Sequence, residues 1–316
     1  MEEGTQPIHV LNKLIKSKFE NEKERLLNLL TIGKISGIEY ISDEIPEVIF
    51  KCEEVKVVTP AEIMPNNKII LYETFLSFLW CTCFSTIVNY NEVIHKPRIN
   101  KEVDQQLIDQ GDKVYNYGMS LLNRFSDWDP SIPNPKNYSE ELSHMIKVTN
   151  EAYLNAVWLI ILHEFAHALY GHYSELFSGR EKSIDKLVME EIQADQFAYR
   201  YCRLELDNTP EIYREDKLSG FILGLLALMM SKKSLYTTGY PEIHKRAIVG
   251  LRLLSWSPLN IAWGICASIF QKWAIAYGYS HLKIGTKYES SKHYCLHLGS
   301  VIQTTVVKDN VPEIIS

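Results

Sequence analysis

The sequence has no excess of positive charge, no basic cluster and few cysteines for its length. Over 316 residues, 33 Lys and Arg are outnumbered by 39 Asp and Glu, for a formal net charge of −6. This balance argues against nucleic acid as a partner. The first residues, Met1-Glu2-Glu3-Gly4, lack the basic and apolar regions of a secretory signal. The six scattered cysteines predict free thiols in a reducing compartment, and therefore a cytoplasmic protein without a disulfide framework.

A membrane span is not expected either. The segment Ile69–Tyr90 is long enough to cross a bilayer, but it contains Glu73, Asn89 and several hydroxyl side chains. A buried core helix is therefore the favoured interpretation. Phe221–Met230 and Ile261–Ile275 predict two further core helices.

The pattern along the chain predicts one mainly helical α+β domain over residues 1–316. We expect an N-terminal helix and strands over 1–64, a helical core over 65–282 and a C-terminal β segment over 283–316. Periodicity and β-branched runs place the individual elements. Helices are expected at Ile8–Leu30 and Glu102–Phe125, strands at Val48–Phe50, Val55–Val58 and Tyr294–Lys308, and a loop at Asp127–Tyr138.

Two histidines and a glutamate lie together in His163-Glu164-Phe165-Ala166-His167, within an apolar run. On a helix the two histidines share one face, about 40° apart around the axis and roughly 6 Å along it. Both imidazoles can therefore bind one tetrahedral ion, and zinc is the usual ion in that geometry. Glu164 is placed to act on an attacking water, so the pattern predicts metal-assisted hydrolysis. Two core histidines with other partners are the alternative.

The next predicted helix, Ile184–Cys202, offers a third metal ligand. Its apolar face carries two carboxylates, Glu191 and Asp195, which would be costly to bury without partners. We expect Glu191 to bind the ion and Asp195 to accept the second ring N–H of a ligating histidine. The alternative is that both carboxylates pair with Lys or Arg side chains.

Other candidate ligands fit less well. Glu190 lies on the flank of its helix and is the second choice for the third ligand. His172 is excluded because a helix running from Glu151 to about Ser174 would turn it away from the histidine pair. A second candidate metal site consists of His293, Cys295 and His297, which would share one face of the predicted C-terminal strand. The favoured interpretation is an ordinary strand face of mixed polarity.

The spacing of these residues resembles a known family. His163-Glu-x-x-His167 followed by Glu191-x-x-Ala-Asp195 is similar to the glutamate zincins whose second helix carries Glu-x-x-Ala-Asp. That group includes the Lit-type phage-exclusion peptidases, the ImmA/IrrE regulators and the membrane-bound CaaX-processing enzymes. The length and soluble character look most like the Lit type. The resemblance implies a zincin-like core of buried helices.

A further stretch is similar to the CaaX-processing enzymes, in which a His-Pro pair is followed by an arginine. Here Tyr240 replaces that histidine before Pro241, and Arg246 follows. Tyr240, His244 and Arg246 are candidates to contact the oxyanion or the substrate. The alternative is a surface turn that leads into a helix at Lys245–Leu254.

Together the residues predict an endopeptidase with one zinc ion per chain and Glu164 as general base. The resemblance to the Lit type implies a protein substrate, such as a host translation factor, cleaved during phage infection. An ImmA/IrrE-like regulatory protease and a non-catalytic protein with a structural zinc site are the alternatives. A structural site would tend to use four protein ligands and more cysteine.

Overall fold

The computed structural model describes residues 4–35, 45–64, 66–173, 182–235, 238–279 and 290–310. The chain is 68% helical with one three-stranded sheet, which confirms the prediction of a mainly helical α+β fold. A short 3-10 helix, Pro7–Leu11, leads into the first long helix. The helices are α1 Asn12–Ile35, α2 Glu73–Asn89, α3 Lys96–Arg98, α4 Gln105–Ser120, α5 Ser143–Leu169, α6 Ile184–Asp207, α7 Glu211–Met230, α8 Ile243–Leu254, α9 Ile261–Ala276 and α10 Ser291–Asn310.

The strands are β1 Glu47–Lys51, β2 Ala61–Met64 and β3 Lys68–Tyr72, in the spatial order β1-β3-β2. β1 pairs with β3 in parallel, and β2 pairs with β3 antiparallel. β2 is thus an edge strand, and it packs against α5. The predicted strand at Val48–Phe50 is confirmed. The one at Val55–Val58 is wrong: Val55 and Val58 are exposed, and this segment instead donates one backbone bond, from Val57 to the Leu121 carbonyl.

The helix α5 lies at the centre of the fold. Over residues 152–169 its side chains are apolar nearly all round and most are buried, as expected of a helix enclosed by others. It packs most extensively against α7, and then against α6 and α2. Two glycines of α7 permit the close approach: a Cβ at Gly220 or Gly224 would lie 2.7 or 2.8 Å from the carbonyl oxygens of Ala152 and Ala156. The helix that carries both histidines is therefore packed against α7 at the level of the backbone.

Glu140–Leu169, which includes α5, is long and apolar enough to cross a membrane, but 83% of its apolar window is buried inside the protein. That burial is typical of a core helix. Among the described residues no other helix meets the same criteria. Ile69–Tyr90 was expected to be one helix, but its first residues form β3, where pairing to both neighbouring strands satisfies the backbone.

The predicted C-terminal strand is wrong, because Ser291–Asn310 forms α10. The β-branched residues there suggested a strand, yet the buried positions have helical spacing. Cys295, Leu298 and Ile302 are almost fully buried, at i, i+3 and i+7, against α8 and α9. His293 and His297 are exposed, on the other side from Cys295. The three residues therefore do not share a face, and residues 283–289 and 311–316 of the predicted β segment lie outside the described part.

Candidate metal centre

Three side chains from α5 and α6 converge on one point. Nε2 of His163 lies 3.1 Å from Nε2 of His167. The two carboxylate oxygens of Glu191 lie 3.3 Å from these nitrogens, one from each. Within the described part of the chain this is the group of His, Cys, Asp and Glu residues arranged to hold a metal ion. Helices α5 and α6 thus bring one ligand atom from each of the three side chains into a triangle with sides of at most 4.8 Å.

The separation of the two imidazole nitrogens fits a small tetrahedral ion. Bonds of about 2.0–2.1 Å to nitrogen and oxygen give ligand separations of about 3.3 Å along a tetrahedral edge. The two nitrogens are 3.1 Å apart, and each lies 3.3 Å from a different oxygen of Glu191. An ion held there would keep one position open, towards a cavity of about 510 Å³ whose walls include His163, Glu164 and Glu191.

Asp195 lies one helical turn after Glu191 and behind the triangle. Its Oδ1 is 3.0 Å from Nδ1 of His163, which is the ring nitrogen that faces away from the triangle. Arg246 of α8 donates two bonds of 2.7 Å to the same carboxylate, from Nε to Oδ2 and from Nη2 to Oδ1. The carboxylate therefore connects an imidazole to a buried guanidinium.

Arg246 bears on two sequence-based interpretations. Pairing of Asp195 with an arginine was the alternative to a metal site, and that pair is present beside the triangle. Glu191 is different, since its closest arginine atom, Nη1 of Arg246, is 3.7 Å away. Two nitrogens of Arg246 are bound to Asp195, and Arg246 also lines the cavity, so its contact with an oxyanion or a substrate stays a prediction.

Tyr240 and His244, the other two candidates to contact the oxyanion or the substrate, lie in different places. Tyr240 lies at the cavity rim, half exposed, with Nζ of Lys232 5.5 Å from its ring centre. His244 is buried and faces Gln303 of α10, outside the cavity. Burial lowers the pKa of His244 to about 4. Glu190, the second choice for the third ligand, is bound to Lys182 instead.

The triangle combines an ionised carboxylate with two imidazoles whose pKa values shift in opposite directions. Burial disfavours the imidazolium form of His163, but Asp195 and Glu191 together raise its pKa to about 10. Burial lowers the pKa of His167. Burial also opposes the ionised form of Glu191, yet the two histidines hold its pKa below the usual range. The carboxylate is thus ionised, and one positive charge already resides beside it.

Glu164 is buried at the cavity wall and lacks a partner on one oxygen. It is 7% exposed, and its Oε2 has no hydrogen-bond partner, which is unusual for a buried polar atom. Burial raises the pKa of Glu164 to about 7, against the opposing effect of His163. An unpartnered carboxylate that faces a cavity with such a pKa can exchange a proton with a bound water near neutral pH.

Two residues near the ligands were not predicted there, since His172 was excluded as a ligand and Tyr173 was not a candidate. Helix α5 ends at Leu169, so the prediction to Ser174, itself outside the described residues, was too long. His172 therefore lies beyond the helix, and its Nδ1 is 2.9 Å from Nδ1 of His167. Tyr173 lines the cavity, with its ring 5.2 Å from that of His167. Gly171 was the available signal, because glycine after a helix indicates a reversal of the chain.

The fold and the site define a mainly helical protein with a candidate metal centre built on His-Glu-x-x-His. A family model, Peptidase U49, matches residues 69–266, which is more than half of the chain and includes the triangle, Glu164, Asp195 and Arg246. The chain belongs to the Peptidase U49 family, and its resemblance to Lit-type peptidases is thereby supported at the level of a peptidase family. No curated protein and no solved structure matches the chain.

Proposed function

We propose that this peptidase is a zinc endopeptidase in which His163, His167 and Glu191 bind the ion and Glu164 is the general base. The observation that carries the proposal is the ligand triangle, open on one side to the cavity, with the unpartnered Glu164 oxygen in the wall. Zinc is favoured by two imidazoles and one carboxylate, with the two imidazole nitrogens separated by about a tetrahedral edge. Three protein ligands are typical of catalytic zinc, whereas structural sites use four.

Glu164 performs the proton transfers in this proposal. Its carboxylate takes a proton from the water that attacks the scissile carbonyl, and then gives this proton to the leaving amine. Bound zinc would polarise that carbonyl and make the water more acidic. Asp195 holds the ring of His163 with its Nε2 towards the ligand triangle, and Arg246 keeps Asp195 ionised and in place.

The cavity provides a place for an extended polypeptide. Ala61 and Glu62 of the edge strand β2 line it together with His163 and Glu164. An edge strand has unpaired backbone groups that can bind an extended chain. A substrate strand alongside β2 would pass the metal centre. Tyr173 and Tyr240, which line the same cavity, are the hydroxyl groups available to contact its carbonyl oxygen.

The setting is proposed from the family and from the cysteines. The described part of the chain has no disulfide at Cys52, Cys81, Cys83, Cys202, Cys266 or Cys295, which suits a reducing compartment such as the cytoplasm. The resemblance to Lit-type enzymes supports cleavage of a host protein, such as a translation factor, in phage defence. A regulatory protease of the ImmA/IrrE kind would use the same centre and would differ in its substrate.

The test is a comparison of protein termini in cells that express the wild type or the Glu164→Gln variant. Glu164→Gln keeps the size of the side chain but cannot accept the proton. New termini present only with the wild type would identify the substrate and the cleaved bond. Glu190→Gln is the matched control, since its carboxylate is bound to Lys182 away from the cavity. Equal cleavage by wild type and Glu164→Gln would reject the mechanism.

A further inference from the structure

The end of helix α5 reverses the chain in a way that returns one side chain to the metal centre. The N–H of Gly171 donates to the carbonyl of Ala168 at 3.2 Å, and the N–H of His172 donates to that of His167 at 3.0 Å. Gly171 has φ +65°, a conformation that glycine adopts without strain. This pair of bonds is the Schellman motif.

In that motif the second residue after the cap lies over the residue three positions inside the helix. The contact is commonly between apolar side chains, but here both residues are histidines. The rings of His167 and His172 are 4.9 Å apart at 76°, with 2.9 Å between their Nδ1 atoms. Nε2 of His172 lies 3.1 Å from Oε1 of Gln193 on α6. Both histidines are buried.

Binding of a cation by His167 would fix which atom is the hydrogen-bond donor in each of these contacts. To use Nε2 as a ligand, His167 must carry its proton on Nδ1. That N–H points to Nδ1 of His172, which must then be the unprotonated acceptor. The proton of His172 is therefore on Nε2, where it donates to the Gln193 oxygen. Every donor meets one acceptor with both rings neutral, so no further charge is required.

We propose that His172 is a positioning residue, which holds His167 in its metal-binding tautomer and orientation, with Gln193 orienting His172 in turn. The inference rests on the proposed metal site. It also assigns different partners to the two ligating histidines. His163 is held by the anionic Asp195, whereas His167 is held by a neutral imidazole. A neutral partner fixes the ring without adding a second carboxylate next to Glu191.

The test compares metal affinity and ligand-field spectra in four variants. His172→Ala should weaken zinc binding about ten- to a hundredfold in a chelator competition. His172→Asn should restore most of this loss, because its side-chain oxygen can accept from Nδ1 of His167. Gln193→Ala, at an exposed helix position, should weaken binding by a smaller factor. His9→Asn is the matched control, since His9 also has a bonded Nδ1, to the Gln6 carbonyl, but is remote from the site.

Two further measurements separate positioning from general stability. The d–d absorption bands of the cobalt-loaded protein should shift in His172→Ala and return in His172→Asn, while those of His9→Asn match the wild type. The thermal unfolding midpoints of the metal-free variants should not show the same loss in His172→Ala and recovery in His172→Asn. If His172→Ala does not fold, His172→Asn and Gln193→Ala still test the proposal.

The outcomes are distinguishable. A wild type that binds no zinc or cobalt would reject the proposed function, and the positioning role with it. The role of His172 alone would be rejected by a different result. In that case the wild type binds zinc, and His172→Ala and Gln193→Ala bind it as tightly as the wild type with unchanged cobalt spectra.

Discussion

The helix pair α5 and α6 buries two acidic centres, one near each end, and they differ in what surrounds the carboxylate. Glu191 and Glu205 lie on the same helix, 14 residues and therefore roughly 21 Å apart. Both are almost fully buried. Both have a pKa held below the usual range against the effect of burial, by histidines at Glu191 and by lysines at Glu205.

At Glu205 the partners are permanent cations and a donor, and they use the whole carboxylate. Nζ of Lys217 lies 2.7 Å and Nζ of Lys18 3.4 Å from Oε1. The indole N–H of Trp158 donates to Oε2 at 3.0 Å. Lys18 also donates to Asn155. Glu205 lines neither the cavity beside the metal centre nor the neighbouring cavity at β3. This centre is a completed ion cluster that joins α1, α5, α6 and α7.

At Glu191 the closest partners are the two imidazole nitrogens. Glu164, in the wall of the same cavity, has one carboxylate oxygen without a hydrogen-bond partner. Imidazole nitrogens can be donors or ligands, whereas ammonium groups can only donate. The difference teaches that burial of a carboxylate is not itself a sign of function. A functional site is indicated instead by several potential metal ligands that converge on a point accessible from a cavity.

The largest expected effect is on metal content. His163→Ala combined with His167→Ala removes two of three ligands, so the purified variant should hold essentially no zinc, against about one ion per wild-type chain. Elemental analysis after dialysis measures this. Glu205→Gln, at the other centre, is the control and should keep its zinc. Full metal content in the histidine variant would show that the triangle is not the site.

The next effect is on catalysis without loss of metal. Glu164→Gln should lower the rate of peptide cleavage about 10²- to 10⁴-fold, since a general base typically contributes that much. Zinc content and thermal stability should stay near those of the wild type. The rate can be measured on the substrate found from the new termini. Loss of metal along with activity would instead mean that Glu164 supports the ligands.

The third effect is on folding and should leave the metal centre unchanged. Glu205→Gln removes the anion between Lys18 and Lys217, and we expect the free energy of unfolding to fall by about 3 kcal/mol. Denaturant unfolding of the metal-free protein measures the change. Zinc affinity per folded molecule should not alter. A tenfold weaker affinity would show that the two centres are coupled along α6.

The fourth effect is on zinc affinity through Asp195. Asp195→Asn is preferable to Asp195→Ala, which would leave the buried guanidinium of Arg246 without an acceptor. We expect zinc binding to weaken about ten- to a hundredfold. Asp207→Asn is the control on the same helix, because Asp207 pairs with Arg203 at the surface. Unchanged affinity in a chelator competition would assign Asp195 to Arg246 alone.

The fifth effect is a pH slope. Because Asp195 and Glu191 outweigh burial and raise the pKa of His163 to about 10, this ring carries a proton that zinc must displace at pH 7 to 9. The apparent association constant should therefore rise about tenfold per pH unit over that range. An ordinary histidine pKa of about 6.5 would make the curve level off above about pH 7.5. A flat curve would contradict the raised pKa.

The sequence was sufficient for the class of fold and for the components of the site. The residues of the triangle were all named from helical spacing, because i and i+4 positions share a face whatever surrounds the helix. Their roles, and those of Glu164 and Asp195, remain predictions. The helices α2, α4, α6, α7, α8 and α9 were predicted near their positions, since long apolar periodicity is a strong local signal.

The errors have a common cause. The strands β2 and β3 were missed, and α10 was taken for a strand, because short β-branched runs take their conformation from the partners they pack against. Only the packed structure supplies those partners: β1 beside β3, or α8 and α9 beside Cys295 and Leu298. The end of α5 was misplaced for a related reason, since the reversal at Gly171 competes with continued apolar periodicity.

The sequence alone thus determined which side chains can bind a metal, because their spacing on each helix is a local property of the backbone. The tertiary structure decided their partners. Arg246 became the counterion of Asp195, His244 faced α10 instead of the cavity, and His172 came to lie against His167. These outcomes depend on how α5, α6 and α8 cross and on where α5 ends. Side-chain partners between separate elements follow from long-range packing, which no local spacing encodes.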